Sequence, residues 1–283
     1  MTMSDTDAPT LTPDEFSFLQ SLLKRKAGIE IAERQSYLID ARLPPVVRAH
    51  GLDGPPAVIA ALRRGTDAEL ETDVIDAFTT NETSFFRDHH PFEDLTNEII
   101  PELLDKRGPS GRLTIWCGAA SSGQEPYTLA MILSETFPEL VTQRRVKILA
   151  TDLSRTMVQR IRDGRYSQLE VNRGLPAKML LKYFEQDGRD WVASSDLRSM
   201  VDADVLNLLE PWPQVPPADL VLLRNVLIYF DNDTRRTILN RIASDVLRPD
   251  GYLLLGSSET LHTLDVPYTT RRFERGSCYQ PEA

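Results

Sequence analysis

The chain has 283 residues, with 32 Lys+Arg against 42 Asp+Glu and therefore a formal net charge of −10. A hydrophobic share of 41% with 26% charged residues is ordinary globular composition, which excludes disorder as the default, and the length suits two domains or one large domain with an appendage. The acidic balance argues against nucleic acid as the main partner, because binding phosphates needs a basic surface.

No run of about 18 apolar residues is present. Met1–Thr10 lacks the basic start and apolar stretch of a secretory signal. Two cysteines (Cys117 and Cys278) and four histidines offer neither a disulfide framework nor metal-ligand spacing. A cytoplasmic protein is expected, with no metal and no membrane insertion.

In chain order, Thr12-Pro13-Asp14-Glu15 combines an N-cap, a proline at the first helical position and a capping-box glutamate. Phe16, Leu19, Leu22 and Leu23 follow at helical spacing, which predicts a helix over about Pro13–Lys26. Further helices are expected over Arg34–Val47, Pro55–Arg64 with Gly65 as its stop, and Asp67–Thr79, making residues 1–80 an all-helical domain. Between Ser21 and Thr66, eight basic residues (Lys24, Arg25, Lys26, Arg34, Arg42, Arg48, Arg63, Arg64) outnumber Glu30, Glu33, Asp40 and Asp53. This local positive excess reads equally as a solvated surface or as a docking face for an acidic partner.

From Arg112 the pattern alternates. Strands are predicted over Leu113–Cys117, Val146–Thr151, Met200–Leu206, Ala218–Leu223 and Tyr252–Leu255. Helices are predicted over Glu125–Phe137, from the cap Ser154 to Gly164, and over about Asp233–Leu247, the last closed by Arg248-Pro-Asp-Gly251. The class is α/β, a mostly parallel, doubly wound sheet. Residues 165–199 break the alternation with a short helix over Ala177–Phe184 and an Asp187-Gly188 turn, which reads as an inserted hairpin subdomain.

After the first strand, Cys117-Gly-Ala-Ala-Ser-Ser-Gly123 supplies small residues where open α/β sheets bind ligands. The Gly118-x4-Gly123 spacing imitates a phosphate loop, but Gln124-Glu125 replaces its Lys-Ser/Thr, and the G-x-G-x-x-G fingerprint is also missing. Glu125 suits a cationic amino-acid group, and Asp152, ending the next strand, suits ribose hydroxyls. A phosphate-free nucleoside carrying positive charge fits both, and S-adenosylmethionine is such a molecule. Singly, Glu125 also reads as a helix-start acid and Asp152 as a neighbour of the Ser154 cap.

Four segments resemble the CheR family, the methyltransferases that esterify glutamates on bacterial chemoreceptors. Asn81-Glu-Thr-Ser-Phe-Phe-Arg-Asp88 resembles the signature joining the family's helical and catalytic domains. Gly118-Ala-Ala-Ser-Ser-Gly-Gln-Glu-Pro-Tyr-Thr-Leu-Ala-Met131 resembles its cofactor loop, Ala150-Thr-Asp-Leu-Ser154 its ribose segment, and Leu223-Arg-Asn-Val-Leu-Ile-Tyr-Phe-Asp231 its fourth-strand motif. The resemblance implies a helical N-terminal domain over 1–80, facing the receptor. It also implies a Rossmann-like S-adenosylmethionine-dependent methyltransferase domain over 81–283, with an inserted β-subdomain at about 165–199.

By the same resemblance, Asn81, Thr83, Arg87, Glu125, Asp152, Asn207, Leu208, Arg224 and Asn225 line the cofactor pocket, and Arg87 and Tyr229 stand near the transferred methyl. Gln124 departs from the second acid that many members carry there, which bears on cofactor affinity. The short turn Gln186–Asp190, beside the glycine-rich loop of members that grip a receptor's C-terminal pentapeptide, implies a tether-independent enzyme. The expected partners are methyl-accepting chemotaxis receptors, met by a monomer.

A glutamate nucleophile is already ionised at pH 7, so no general base is required, and orientation with desolvation remain to be supplied. Arg87 is assigned to positioning the carboxylate, with an interdomain ion pair as its alternative role; Tyr229 to the carboxylate or the sulfonium, with core packing as the alternative. Phe85 and Phe86 read as packing residues at the domain junction, His89-His90 as a helix start, and Cys117 as a small buried hydrophobe. Two other functions stay open: the same transfer to a different acid, and a cofactor-binding sensor or scaffold with little turnover.

Overall fold

The computed structural model describes residues 11–213, 215–273 and 276–282. Met1–Thr10, read above as lacking a signal segment, lies outside the described residues. The chain divides into two compact units, residues 1–80 and 81–283.

In the first unit, α1 (Pro13–Ala27) starts at a complete capping box: the Glu15 amide donates to Thr12 Oγ1 (3.3 Å) and the Thr12 amide to Glu15 Oε2 (2.8 Å). It is followed by α2 (Tyr37–Ala49), α3 (Pro55–Arg64) and α4 (Ala68–Phe78). Leu19, Leu23, Ile39, Leu43, Val58, Ile59, Leu70 and Val74 form their shared core. A 3-10 turn at Glu33–Gln35 delays α2 beyond the start expected at Arg34.

The second unit opens with α5 (His90–Asp94), a π turn (Leu95–Ile99) and α6 (Ile100–Arg107). The main alternation then runs β1 (Leu113–Gly118), α7 (Gln124–Thr136), α8 (Pro138–Thr142), β2 (Val146–Asp152) and α9 (Arg155–Asp163). Residues 165–198 carry β3 (Arg165–Ser167), α10 (Gln168–Val171), α11 (Ala177–Tyr183), β4 (Phe184–Asp187), β5 (Asp190–Ala193) and α12 (Ser195–Arg198). The chain closes with β6 (Val201–Val205), β7 (Ala218–Leu223), α13 (Asn232–Arg241), β8 (Leu247–Leu255), β9 (Tyr268–Arg272) and β10 (Ser277–Pro281).

The main sheet has the order β6-β2-β1-β7-β8-β10-β9. β6, β2, β1, β7 and β8 are parallel, while β10 is antiparallel to both β8 and β9. All six residues of β7 are buried, as a strand covered on both faces requires. The strand order reverses between β1 and β7, so the crevice at their carboxyl ends is the place where such sheets bind ligands. Among the described residues no helix is long and apolar enough to cross a membrane.

Two boundaries differ from expectation. Arg248-Pro-Asp-Gly251, expected as a closing turn, lies inside β8: Ala218 pairs with Leu247 and Leu220 with Tyr252, so a bulge absorbs the proline. The hairpin β9–β10 was not foreseen, because Tyr268–Arg272 reads as a mixed polar run rather than an alternating strand. The inserted three-stranded sheet, β3-β5-β4, carries Tyr166 and Phe184 against Phe85, with ring centroids 5.1 and 5.7 Å from it. Phe85 thus packs in the core of the second unit.

Candidate active site

The site is built at the carboxyl ends of β2, β1, β7 and β8. Gly118 ends β1; a Cβ on it would lie 2.9 Å from Leu223 Cδ1, so a larger residue there would push the Leu223 side chain aside. The loop beyond it turns back over β2: Ala120 donates to Thr151 O (2.9 Å) and the Ser121 amide to Asp152 Oδ2 (2.7 Å). The Ser154 amide donates to the other oxygen, Oδ1 (2.9 Å), while Ser154 Oγ accepts from Met157 N and caps α9. Asp152 is buried, with one amide donated to each of its oxygens.

Glu125 stands in the first turn of α7, and its Oε2 accepts from Arg224 Nη1 (2.7 Å). Gln124 is buried and accepts from Ser122 Oγ (2.8 Å), so an amide at this position spares the loop a buried carboxylate. Cys117, beneath them, is fully buried, and burial pushes its thiol well above the usual range, which leaves it no nucleophilic part.

Arg224 ends β7 with its side chain only 2% exposed. Besides Glu125, its Nη2 donates to the Arg87 carbonyl (3.0 Å) and to Asp88 Oδ2 (2.8 Å), and the guanidinium lies 5.4 Å from the Phe92 ring centroid. Ser257 Oγ completes the cluster on Asp88 Oδ2 (2.8 Å). One buried arginine therefore ties the signature segment to the cofactor loop, and it is a cross-brace more than a ligand contact. Asp88 and Ser257 escaped the sequence reading, because only the fold brings residues 88, 125, 224 and 257 together.

Arg87 is half-buried and donates from Nη1 to the Glu82 carbonyl (2.9 Å), with no ion pair among the described residues. Most of its guanidinium fork is uncommitted among the described residues. Asn81 reaches the loop through its carbonyl, which accepts from Ser121 Oγ (2.8 Å); Thr83 beside it is half-buried. Past β6, Asn207 Oδ1 accepts from Leu209 N (3.0 Å), and Leu208 is buried with its carbonyl accepting from Trp212 Nε1 (3.3 Å). Tyr229 ends a 3-10 turn (Leu227–Tyr229) with 43% of its surface exposed and its hydroxyl unpartnered among the described residues, whereas Leu227 and Phe230 are buried. Core packing is thus done by its neighbours.

Backbone strain concentrates here. Of seven non-glycine residues with left-handed backbone among those described, Phe86, Asp88, Ala119, Ser121 and Asn225 belong to the signature, the β1 loop or the β7 end, and His89 directly follows the signature. Such strain persists where surrounding structure over-determines it, as at ligand sites. Two buried polar atoms, Arg224 Nε and Asn225 Oδ1, have no protein partner. With an orphan acceptor at Asn225, the carboxylates of Glu125 just past β1 and Asp152 at the end of β2, and no basic phosphate cradle among the described residues, the residues fit a cationic nucleoside that carries hydroxyls and an ammonium group.

The family model for the CheR methyltransferase, SAM binding domain, matches residues 81–275. The chain is 37% identical over 269 residues to chemotaxis protein methyltransferase Cher2 of Pseudomonas putida, covering 94% of this chain and 97% of that one. It is 37% identical over 271 residues to chemotaxis protein methyltransferase 1 of Pseudomonas aeruginosa, covering 94% and 97%. To the chemotaxis protein methyltransferase of Vibrio parahaemolyticus it is 35% identical over 278 residues, covering 96% and 98%. With these matches over a strand-end pocket of this chemistry, the chain belongs to the CheR methyltransferase family, S-adenosylmethionine-dependent enzymes of chemotaxis.

Proposed function

We propose that the protein methylates glutamate side chains on the cytoplasmic helices of chemoreceptors, forming methyl esters, and does so as a monomer in the cytoplasm without a C-terminal receptor tether. The observation that carries this reading is the pairing of an uncommitted, half-buried guanidinium on Arg87 with an exposed, unpartnered hydroxyl on Tyr229. These groups suit an acceptor that arrives already ionised, as a glutamate with an unperturbed pKa near 4.3 does. The nearest thiol, Cys117, is held protonated by burial.

Bound S-adenosylmethionine supplies a methyl group on a sulfonium. Glu125, whose Oε2 holds Arg224, would accept from its ammonium through Oε1, and Asp152 would accept from its ribose hydroxyls. Arg87 orients the acceptor carboxylate through its fork, and a loose grip favours the charge-neutralising transition state over the ion-paired ground state. The exposed Tyr229 hydroxyl would donate to that carboxylate.

The helical unit supports an acidic partner. Lys24, Lys26 and Arg63 are partly neutralised by Glu30 (2.7 Å), Glu71 (2.8 Å) and Asp14 (2.6 Å). Arg25, Arg34, Arg48 and Arg64 form no ion pair among the described residues and would steer the acidic receptor helix. In the inserted sheet, β4 and β5 are joined by only Gly188 and Arg189, and Arg165 of β3 pairs with both Asp187 and Asp190, which leaves little loop for gripping a peptide.

Transfer of labelled methyl to chemoreceptor membranes tests this, with Arg87→Ala and a receptor lacking its C-terminal residues as comparisons. Base-labile label, lost in the variant and kept on the truncated receptor, is the expected result. Tight cofactor binding with no label on any receptor would overturn the acceptor and favour a sensor.

A further inference from the structure

Glu259 lies outside every motif read from the sequence, yet its carboxylate gathers three backbone amides from the ends of two adjacent strands. Oε2 accepts from Asn225 N (2.7 Å), just past β7, and from Gly256 N (2.7 Å), just past β8. Oε1 accepts from Ile228 N (3.3 Å), in the turn that ends at Tyr229. The Glu259 amide returns to the Gly256 carbonyl (2.9 Å), closing the β8 loop around the carboxylate.

The packing leaves no slack. A Cβ on Gly256 would stand 2.6 Å from Asn225 Nδ2 and 2.8 Å from Glu259 Oε2, so the three residues fit only because position 256 has no side chain. Asn225 is held at φ +58°, a left-handed conformation that relaxes unless its amide is anchored. The carbonyl side of the same turn is anchored separately, by Arg235 Nε on Leu227 O (2.8 Å). Glu259 is thus the acceptor for the amide side of the segment that carries both Asn225 and Tyr229.

We propose that Glu259 is a positioning residue for methyl transfer: by holding the amides of Asn225 and Ile228 it aims the Asn225 carboxamide at the cofactor and the Tyr229 hydroxyl at the acceptor, touching neither. The proposal rests on the roles given above to Asn225 and Tyr229.

The test compares wild type, Glu259→Ala and Glu259→Gln for S-adenosylhomocysteine Kd by calorimetry, for kcat and receptor KM at saturating cofactor, and for Tm. Glu259→Ala is expected to raise the cofactor Kd about tenfold and lower kcat at least about tenfold, with receptor KM within about twofold. Glu259→Gln keeps one oxygen for Asn225 and Gly256 but turns its NH2 toward the Ile228 amide, so Kd should stay within about threefold while kcat falls about fivefold or more. A Tm drop with Kd and kcat at wild-type values, measured well below Tm, would overturn the proposal. Should the alanine variant fail to fold, Glu259→Gln and Glu259→Asp decide by the same split between Kd and kcat. A wild-type enzyme that binds cofactor but labels no receptor would defeat the acceptor reading alone; the Kd comparison would still decide Glu259.

Discussion

The two sides of the pocket are made differently. At the ends of β1 and β2, a loop of small residues is sewn to Asp152 and Thr151 by its own amides, all within a stretch of residues 118–154. At the end of β7, the segment from Arg224 to Tyr229 leans on remote side chains: Glu125 and Asp88 on Arg224, Glu259 on Asn225 and Ile228, Arg235 on Leu227. The first side is buried and held mainly by the loop's own amides, with outside ties at the Asn81 carbonyl and the Tyr166 hydroxyl, and the second ends in an exposed tyrosine. A rigid seat for the cofactor beside a braced but open edge suits an enzyme whose second substrate is a whole protein surface.

The sharpest way to break the contrast is Arg224→Met. Removing one partner of a buried ionic cluster strands Glu125 and Asp88, and a loss of about 3 kcal/mol is expected. For a unit of this size that is a Tm drop of about 6–12 °C, readable by calorimetry. Glu125→Gln should act on the cofactor side: loss of a charge-assisted contact should weaken S-adenosylmethionine binding by about 2 kcal/mol, seen as a Kd rise of roughly thirtyfold, without changing where the receptor binds.

Tyr229→Phe should act on the open side only. Its hydroxyl is unpartnered among the described residues and its side chain exposed, so stability should change by no more than about 0.5 kcal/mol, while kcat falls about tenfold and cofactor Kd holds.

What the sequence makes legible follows the same division. Gly118–Gly123, Glu125 and Asp152 announce themselves because they follow or end strands that the alternation already marks, β1 and β2, as it marks β7 and the core of β8, although Glu125 meets Arg224 only in the fold. The bracing of the β7 end is invisible, because Asp88, Glu259 and Arg235 are ordinary surface-type residues until the fold closes. The β9–β10 hairpin hides for a related reason: it completes an antiparallel edge whose outer residues are polar. Left-handed backbone at Asp88 and Asn225 leaves only a weak mark, since Asp and Asn adopt it more readily than other non-glycine residues but are common elsewhere too.

The smallest effect lies away from the pocket, in the brace between α6 and β9. Burial alone would raise the Glu102 carboxyl, but hydrogen bonds from Arg271, Lys106 and Tyr252 hold it down at about 2 against an ordinary 4.5. A depressed carboxyl stabilises the fold above its unfolded value and loses that contribution as pH falls from 4.5 through about 2. Glu102→Gln should therefore cost about 1 kcal/mol at pH 7, discounted for the partly exposed Arg271, and nothing near pH 2; acid titration of Tm for both proteins checks it.

The central claim concerns the acceptor. Peptide mapping by mass spectrometry of a chemoreceptor cytoplasmic fragment, after incubation with enzyme and S-adenosylmethionine, should find one methyl group on glutamate side chains, removed by mild base and missing when Arg87→Ala replaces the wild type. Methyl groups that resist base, or that sit on another side chain, would contradict the account.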